Sequence, residues 1–144
     1  MIGVAGLRFH HFGLAASDPD KATAFVQQLG YECGSSVVDP LQNVQLRWCE
    51  KVGSPSIEIV SATDTDGPLT KILAVHPTSF YHLCFEIEVS GEEMVDSLRA
   101  SGSRVVTVIP PTPAVLFNGR LVSFHFVQGF GLIELLQNAV CGHG

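Results

Sequence analysis

The sequence predicts an α+β fold made of two βαβββ modules that form a curved mixed sheet. Three observations carry that prediction. A strand-like segment from Phe9 to Ala16 contains His11, and a second from Tyr81 to Ile87 contains His82. Each is followed by a capped helix that stops at a glycine. Each half then closes on a strand with one glutamate among aliphatic residues, Ile57-Glu58-Ile59-Val60 and Leu132-Ile133-Glu134-Leu135-Leu136. The offsets agree: 82 − 11 = 71 for the histidines, 102 − 30 = 72 for the glycines and 90 − 17 = 73 for the serines. Shared order and spacing mark an internal repeat.

The elements follow in order. From Phe9 to Ala16, Phe12, Leu14 and Ala16 share one face, and His11, Gly13 and Ala15 share the other. Ser17 or Asp18 caps the first helix, Pro19 suits its first turn, and Asp20 complements its positive end. Ala22, Phe25, Val26 and Leu29 fall on one helical face, and Gly30 ends it. Strands are expected at Tyr31 to Val38, Asn43 to Val52 and Ser56 to Ser61, with Asp39-Pro40 and Val52-Gly53-Ser54-Pro55 as turns.

The bridge is polar and carries a short helix from about Pro68 to Val75. In the second half Tyr81, Leu83, Phe85 and Ile87 form the apolar stripe, and His82, Cys84, Glu86 and Glu88 face away from it. Ser90-Gly91-Glu92-Glu93 reads as a capping box. Met94, Val95 and Leu98 continue the buried face, and Gly102 stops the helix. Strands are expected at Arg104 to Val108, Arg120 to Val127 and Gly131 to Gln137. The Pro-rich run from Pro110 to Gly119 reads as a loop, either a lid or a stiff connection. The modules are set at residues 8–65 and 80–138, with 66–79 as linker, in one compact domain.

A helix on a four-stranded sheet buries one sheet face and leaves the other open. Both histidines lie opposite the large apolar stripe, so they fall on the open face. Two open faces facing each other would make a shared cleft.

Composition narrows the function. The chain has 144 residues, a formal charge of −6, and 15% charged against 46% hydrophobic residues. Charged residues usually reach about 25%. So little charge favours a covered apolar surface, and a homodimer is expected. Eight Lys and Arg, scattered singly, make no basic stripe for nucleic acid. No apolar run is long enough to span a membrane, and residues 1–7 do not read as a signal peptide. The expected compartment is the cytoplasm. Cys33, Cys49, Cys84 and Cys141 lack C-x-x-C spacing and read as small hydrophobes or bystanders.

In order and spacing, five segments resemble the vicinal oxygen chelate superfamily, and within it the glyoxalase and methylmalonyl-CoA epimerase-like branch. They are His11-Phe12-Gly13-Leu14-Ala15, Ile57-Glu58-Ile59, Gly67 to Leu73, Tyr81 to Glu86, and Leu132-Ile133-Glu134-Leu135. The match covers roughly residues 8 to 137. The resemblance implies that His11, Glu58, His82 and Glu134 hold one divalent transition metal around the cleft: cobalt, nickel, zinc, manganese or iron. It implies a metal-dependent enzyme that moves a proton beside a carbonyl, an epimerase or a glyoxalase-type lyase, with Glu134 or Glu58 as the base. Each of the four also has a plainer reading, as a solvent-facing edge residue or a hydrogen-bonded polar residue in a sheet. His10, His76 and His125 are weaker rivals as ligands.

The epimerases of this superfamily carry a further catalytic glutamate on the preceding strand, and the nearest match here is Gln45, an amide that cannot act as a base. Gln45, Arg47, Trp48, Phe117 and Arg120 are the expected substrate-binding residues. The guanidiniums would pair with a carboxylate or phosphate, and the aromatics would make an apolar wall or join the core. The expected substrate is a small molecule with a carbonyl or thioester. The alternatives are a non-catalytic small-molecule-binding protein of the same fold, of the resistance type, or a specialised-metabolism enzyme with a larger substrate.

Overall fold

The computed structural model describes residues 3–63 and 73–138. The described residues fall into two compact units, one within His11–Tyr81 and the other within Met1–His10 together with His82–Gly144. Nine strands and two α-helices are present among them, with parallel and antiparallel pairing mixed. Among the described residues no helix is long and apolar enough to cross a membrane. The expected helix from about Pro68 to Val75 lies outside the described residues, apart from a helical turn at 73–75. Cys141 also lies outside them.

In the unit within His11–Tyr81, strand β1 (Leu7–Ala16) runs parallel to β5 (Ser56–Ala62). The outer strands β4 (Val44–Glu50), β2 (Glu32–Cys33) and β3 (Val37–Asp39) follow antiparallel. Helix α1 (Pro19–Gln28) is capped by Asp18, whose side chain accepts the Lys21 N–H at 3.1 Å. It crosses over between β1 and β2. Leu14, Ala16, Val26, Cys49, Ile57 and Ile59 make the core on this side. Each Leu, Val or Ile among them, fully buried, contributes roughly 1.5–3 kcal/mol.

Two expectations for this unit change. Tyr31 to Val38 is not one strand: the pairing breaks at Gly34-Ser35-Ser36, where no side chain favours a pleated surface. Thr23 and Val26 are the buried positions of α1, and Phe25 and Leu29 are exposed. The helix rests on β5 and β2 along a narrower face than periodicity drew.

The other unit repeats the plan. Strand β6 (Thr78–Ile87) pairs parallel with β9 (Gly131–Gln137), and β8 (Leu121–Val127) and β7 (Val105–Pro113) follow antiparallel. Helix α2 (Gly91–Ala100) starts at Ser90, whose hydroxyl accepts the Glu93 N–H at 3.1 Å. Ile87, Met94, Val95, Val105, Ile133 and Leu135 form the core beneath it.

The Pro-rich run is not a loop from Pro110 onward. Strand β7 continues to Pro113, with register shifts at Thr107/Ile109 and Ile109/Thr112. Among the described residues it pairs with β8 alone, and proline is tolerated on an edge strand that owes no N–H to a second neighbour. Only Val115–Phe117, a short 3-10 turn, and the left-handed Asn118 and Gly119 remain as connection.

Candidate functional site

Register decides which side chains reach the face opposite each helix. In the His11–Tyr81 unit, Phe12, Leu14 and Ala16 pair toward Ile57 and Ile59 and face α1. His11 and Glu58 therefore face the other way. His11 is fully buried and Glu58 is 4% exposed. His11 Nε2 lies 3.8 Å from Glu58 Oε1. Across β4, Trp48 is the direct partner of Glu58 and shares its face. The indole stands edge-on to the His11 ring, with centroids 5.0 Å apart. Its Nε1 donates to Glu50 Oε1 at 2.7 Å.

The second unit builds the same arrangement. Leu83, Phe85 and Ile87 pair toward Ile133 and Leu135 and face α2. His82 and Glu134 face away from it, 3% and 2% exposed. His82 Nε2 lies 3.1 Å from Glu134 Oε1. Phe124, directly opposite Glu134 on β8, stands edge-on to His82 with centroids 5.3 Å apart. Around them Cys84, Ala114, Val122, Phe124 and Leu136 form an apolar cluster, with Phe117 packed against it. All four side chains, His11, Glu58, His82 and Glu134, are of metal-ligating type.

Burying a carboxylate is costly unless a partner compensates it. A sheet gains nothing by placing Glu58 or Glu134 where an aliphatic residue fits. Here a buried imidazole stands beside each carboxylate.

Gln45 and Arg47 are placed differently from expectation. They alternate with Leu46 and Trp48, and their cross-strand partners are Ser61 and Ile59. Both therefore stand on the α1 side of the sheet, away from Glu58. Arg47 Nη2 lies 3.9 Å from Asp20 Oδ1 of α1, and both residues line a polar pocket with Pro19, Ser36 and Ser61. On the Glu58 side β4 presents Val44, Leu46 and Trp48, and then Glu50. A one-residue slip in register exchanges the two sets.

Arg120 is half-buried and already engaged. Its Nη2 lies 2.5 Å from Glu86 Oε2, and its Nε donates to the Gln137 carbonyl at 2.8 Å. Arg8 also pairs with Glu86. Burial lowers the pKa of Arg120 below its ordinary value. Of the weaker histidine rivals, His76 is exposed, and His10 is half-buried and edge-on to Phe117 at 5.4 Å.

His125 is the third of these rivals. It lies on the α2 side of β8, buried between the Thr107 hydroxyl at 3.0 Å from Nδ1 and the Ser123 hydroxyl at 2.7 Å from Nε2. Burial lowers its pKa below the ordinary 6.5, and Arg99 pushes the same way against Glu92. The signal was present in the alternation of Ser123 and His125 along β8, which puts two polar residues on a helix-covered face.

Residues 10–124 match the model of the glyoxalase/bleomycin resistance protein/dioxygenase superfamily. The chain belongs to that superfamily, whose fold is the vicinal oxygen chelate type. Among solved structures it is similar to methylmalonyl-CoA epimerase from Mycobacterium tuberculosis, at 22% identity and a TM-score of 0.73, over 96% of this chain and 93% of that one. It is similar to methylmalonyl-CoA epimerase from Streptomyces coelicolor, at 21% identity and a TM-score of 0.72, over 94% and 99%. A hypothetical protein from Bacillus halodurans matches at 20% identity and a TM-score of 0.75, over 92% and 94%. At these identities the likeness speaks for the fold. No match was found among proteins with curated descriptions.

Proposed function

We propose that this chain is a metal-dependent enzyme that transfers a proton beside a carbonyl, and that His11, Glu58, His82 and Glu134 together hold one divalent ion. The observation that carries this reading is the repetition: one buried His–Glu pair with an aromatic edge against the imidazole, built twice at matching positions of the repeat. One such pair has a structural explanation; a second copy in equivalent register needs a shared cause. Two imidazoles and two carboxylates suit cobalt, nickel, zinc, manganese or iron, and neutral imidazoles with two carboxylates balance a 2+ charge. When bound, such an ion supplies Lewis-acid stabilisation of negative charge on a substrate oxygen.

The chain's own residues supply the remainder. Glu134 or Glu58 takes the proton and returns it. Leu46 and Val44 occupy the β4 face beside Glu58, and Glu50 is held by the Trp48 indole. The proton chemistry therefore falls to the ligand glutamates, without a separate acid on β4. Trp48, Phe124 and Phe117 keep the surroundings of the two pairs apolar, which strengthens electrostatic interactions there.

The substrate is a small molecule with a carbonyl or thioester. One of the similar structures is a methylmalonyl-CoA epimerase in complex with methylmalonyl-CoA and NH4+, so a CoA thioester is the class to try first. The low charge content, with Phe25, Phe80 and Phe130 exposed, supports a homodimer. A second reading is a non-catalytic binder of the same fold or an enzyme for a larger substrate. Leu46 favours it, because that strand position offers no acid.

Deuterium exchange tests the first reading. Metal-loaded protein in deuterated water should wash label into the α-carbon of methylmalonyl-CoA or a simpler 2-substituted acyl-CoA, and stripped protein should not. Absence of exchange with every acyl thioester tried, by protein that binds them, supports the binder instead.

A further inference from the structure

Cys33 of β2 and Cys49 of β4 are direct cross-strand partners. The Gly34 N–H donates to the Trp48 carbonyl at 2.9 Å, which makes the neighbouring Gly34–Trp48 positions the hydrogen-bonded pair. Antiparallel pairs alternate, so Cys33 and Cys49 form the non-hydrogen-bonded kind, with Cα atoms about 4.5 Å apart and side chains on one face. Disulfides bridge Cα atoms about 4.4–6.8 Å apart, so no backbone movement is needed. Cys49 lies in the core on the α1 side, and Cys33 packs against that core. Cys33 is half-buried and reachable, whereas Cys49 is fully buried.

We propose that Cys33 and Cys49 are a redox pair that closes to a reversible cross-strand disulfide, with a small-molecule disulfide such as oxidised glutathione as the oxidant. The steps balance. The Cys33 thiolate attacks one glutathione sulfur, forms a mixed disulfide and releases one glutathione thiolate. Cys49 loses its proton to solvent and attacks the Cys33 sulfur, which releases the second. Two cysteine thiols are oxidised, and one glutathione disulfide is reduced to two thiols. The bond fastens the two-residue edge strand β2 to β4, next to Trp48, the ring that stands against His11.

The second step is the slow one. Burial, then the hydrogen bond and charge of Cys33, pushes the Cys49 thiol up to about 12. Its thiolate is the attacking species, so closure should speed up about tenfold per pH unit across the neutral range.

Peptide mapping tests the pair. The intact protein is incubated with oxidised glutathione at pH 7 and pH 8, then denatured in the presence of iodoacetamide so that buried free thiols are blocked too, and cut with trypsin. Cleavage after Arg47 and Lys51 places the two thiols on separate peptides, residues 22–47 and 48–51. The expected product is these two peptides joined, released by dithiothreitol, and formed about ten times faster at pH 8. Cys49→Ser should instead hold a lasting glutathione on Cys33. The proposal is overturned if the wild-type map shows Cys33 carrying glutathione with Cys49 alkylated, or both thiols alkylated, in protein whose circular dichroism stays native. That map decides the matter whether or not Cys49→Ser folds.

Discussion

The two halves of the molecule share a frame and differ in what surrounds it. Each sets a histidine on its first strand, a glutamate on its last, and an aromatic residue opposite that glutamate. The His11–Glu58 approach is 3.8 Å and its aromatic neighbour is Trp48. The His82–Glu134 approach is 3.1 Å and its neighbour is Phe124. Beneath the helices the halves part. The α1 side has an apolar core and a polar pocket at its rim, whereas α2 covers a buried Ser123–His125 pair whose outer ring nitrogen meets the exposed Thr107 hydroxyl. The frame that supplies the His–Glu pair is constant, and the supporting layer is free to vary. That is the expected outcome when a repeat keeps its chemistry and lets its packing drift.

The comparison breaks most visibly at the glutamates. Glu134→Gln and Glu58→Gln should each lower proton exchange, by about 10²–10⁴-fold for whichever acts as the base. The other variant should lose mainly metal affinity. Exchange rates at saturating metal separate the two, and equal exchange in both variants and wild type would remove the glutamates from the chemistry.

The support beneath α2 gives the next effect. A Cβ at Gly91 would lie 2.9 Å from the Ser123 hydroxyl, which is bonded to His125. Gly91→Ala should therefore cost about 1–3 kcal/mol. Adding Ser123→Ala should recover part of it, and urea unfolding of the single and double variants measures the coupling.

Acid sharpens the contrast between the halves. Burial holds His125 below its ordinary 6.5. As pH falls the unfolded chain takes up that proton first, so the folded state loses ground. Stability tied to His125 is full above about 6.5 and declines below it, by at most about 1.4 kcal/mol per pH unit. Wild type minus His125→Gln, followed by urea unfolding from pH 7.5 to 5, should show this slope; a flat difference contradicts it.

The smallest effects belong to features the halves share. Asp18→Ala and Ser90→Ala each remove a cap bonded at 3.1 Å. Each should cost about 1 kcal/mol and lower Tm by a few degrees. A large inequality between them would show that one helix start is held by other contacts.

Much of this was legible in the sequence. Strands β1, β5, β6 and β9 announce themselves by alternation, and the glutamate amid aliphatic residues fixes its own facing. Ser90, Gly30 and Gly102 bound their helices by local chemistry alone. What stayed hidden depends on neighbours. Val44-Gln45-Leu46-Arg47-Trp48 alternates equally well in either facing, and only pairing with β5 shows that Leu46 sides with Glu58. Phe25 looks buried on a helical wheel, yet is 59% exposed. Pro110, Pro111 and Pro113 signal a loop until β7 is known to be paired on one side alone. The engagement of Arg120 by Glu86, 34 residues away, leaves no local trace.

Metal content per chain tests the central claim most directly. Wild-type protein purified without chelator should carry about one equivalent of a divalent transition metal. His11→Ala and His82→Ala should each abolish it, with at least about a hundredfold loss in affinity on titration. Two equivalents, or a variant of one half that keeps full binding, would show that the pairs act separately and would contradict a single shared ion.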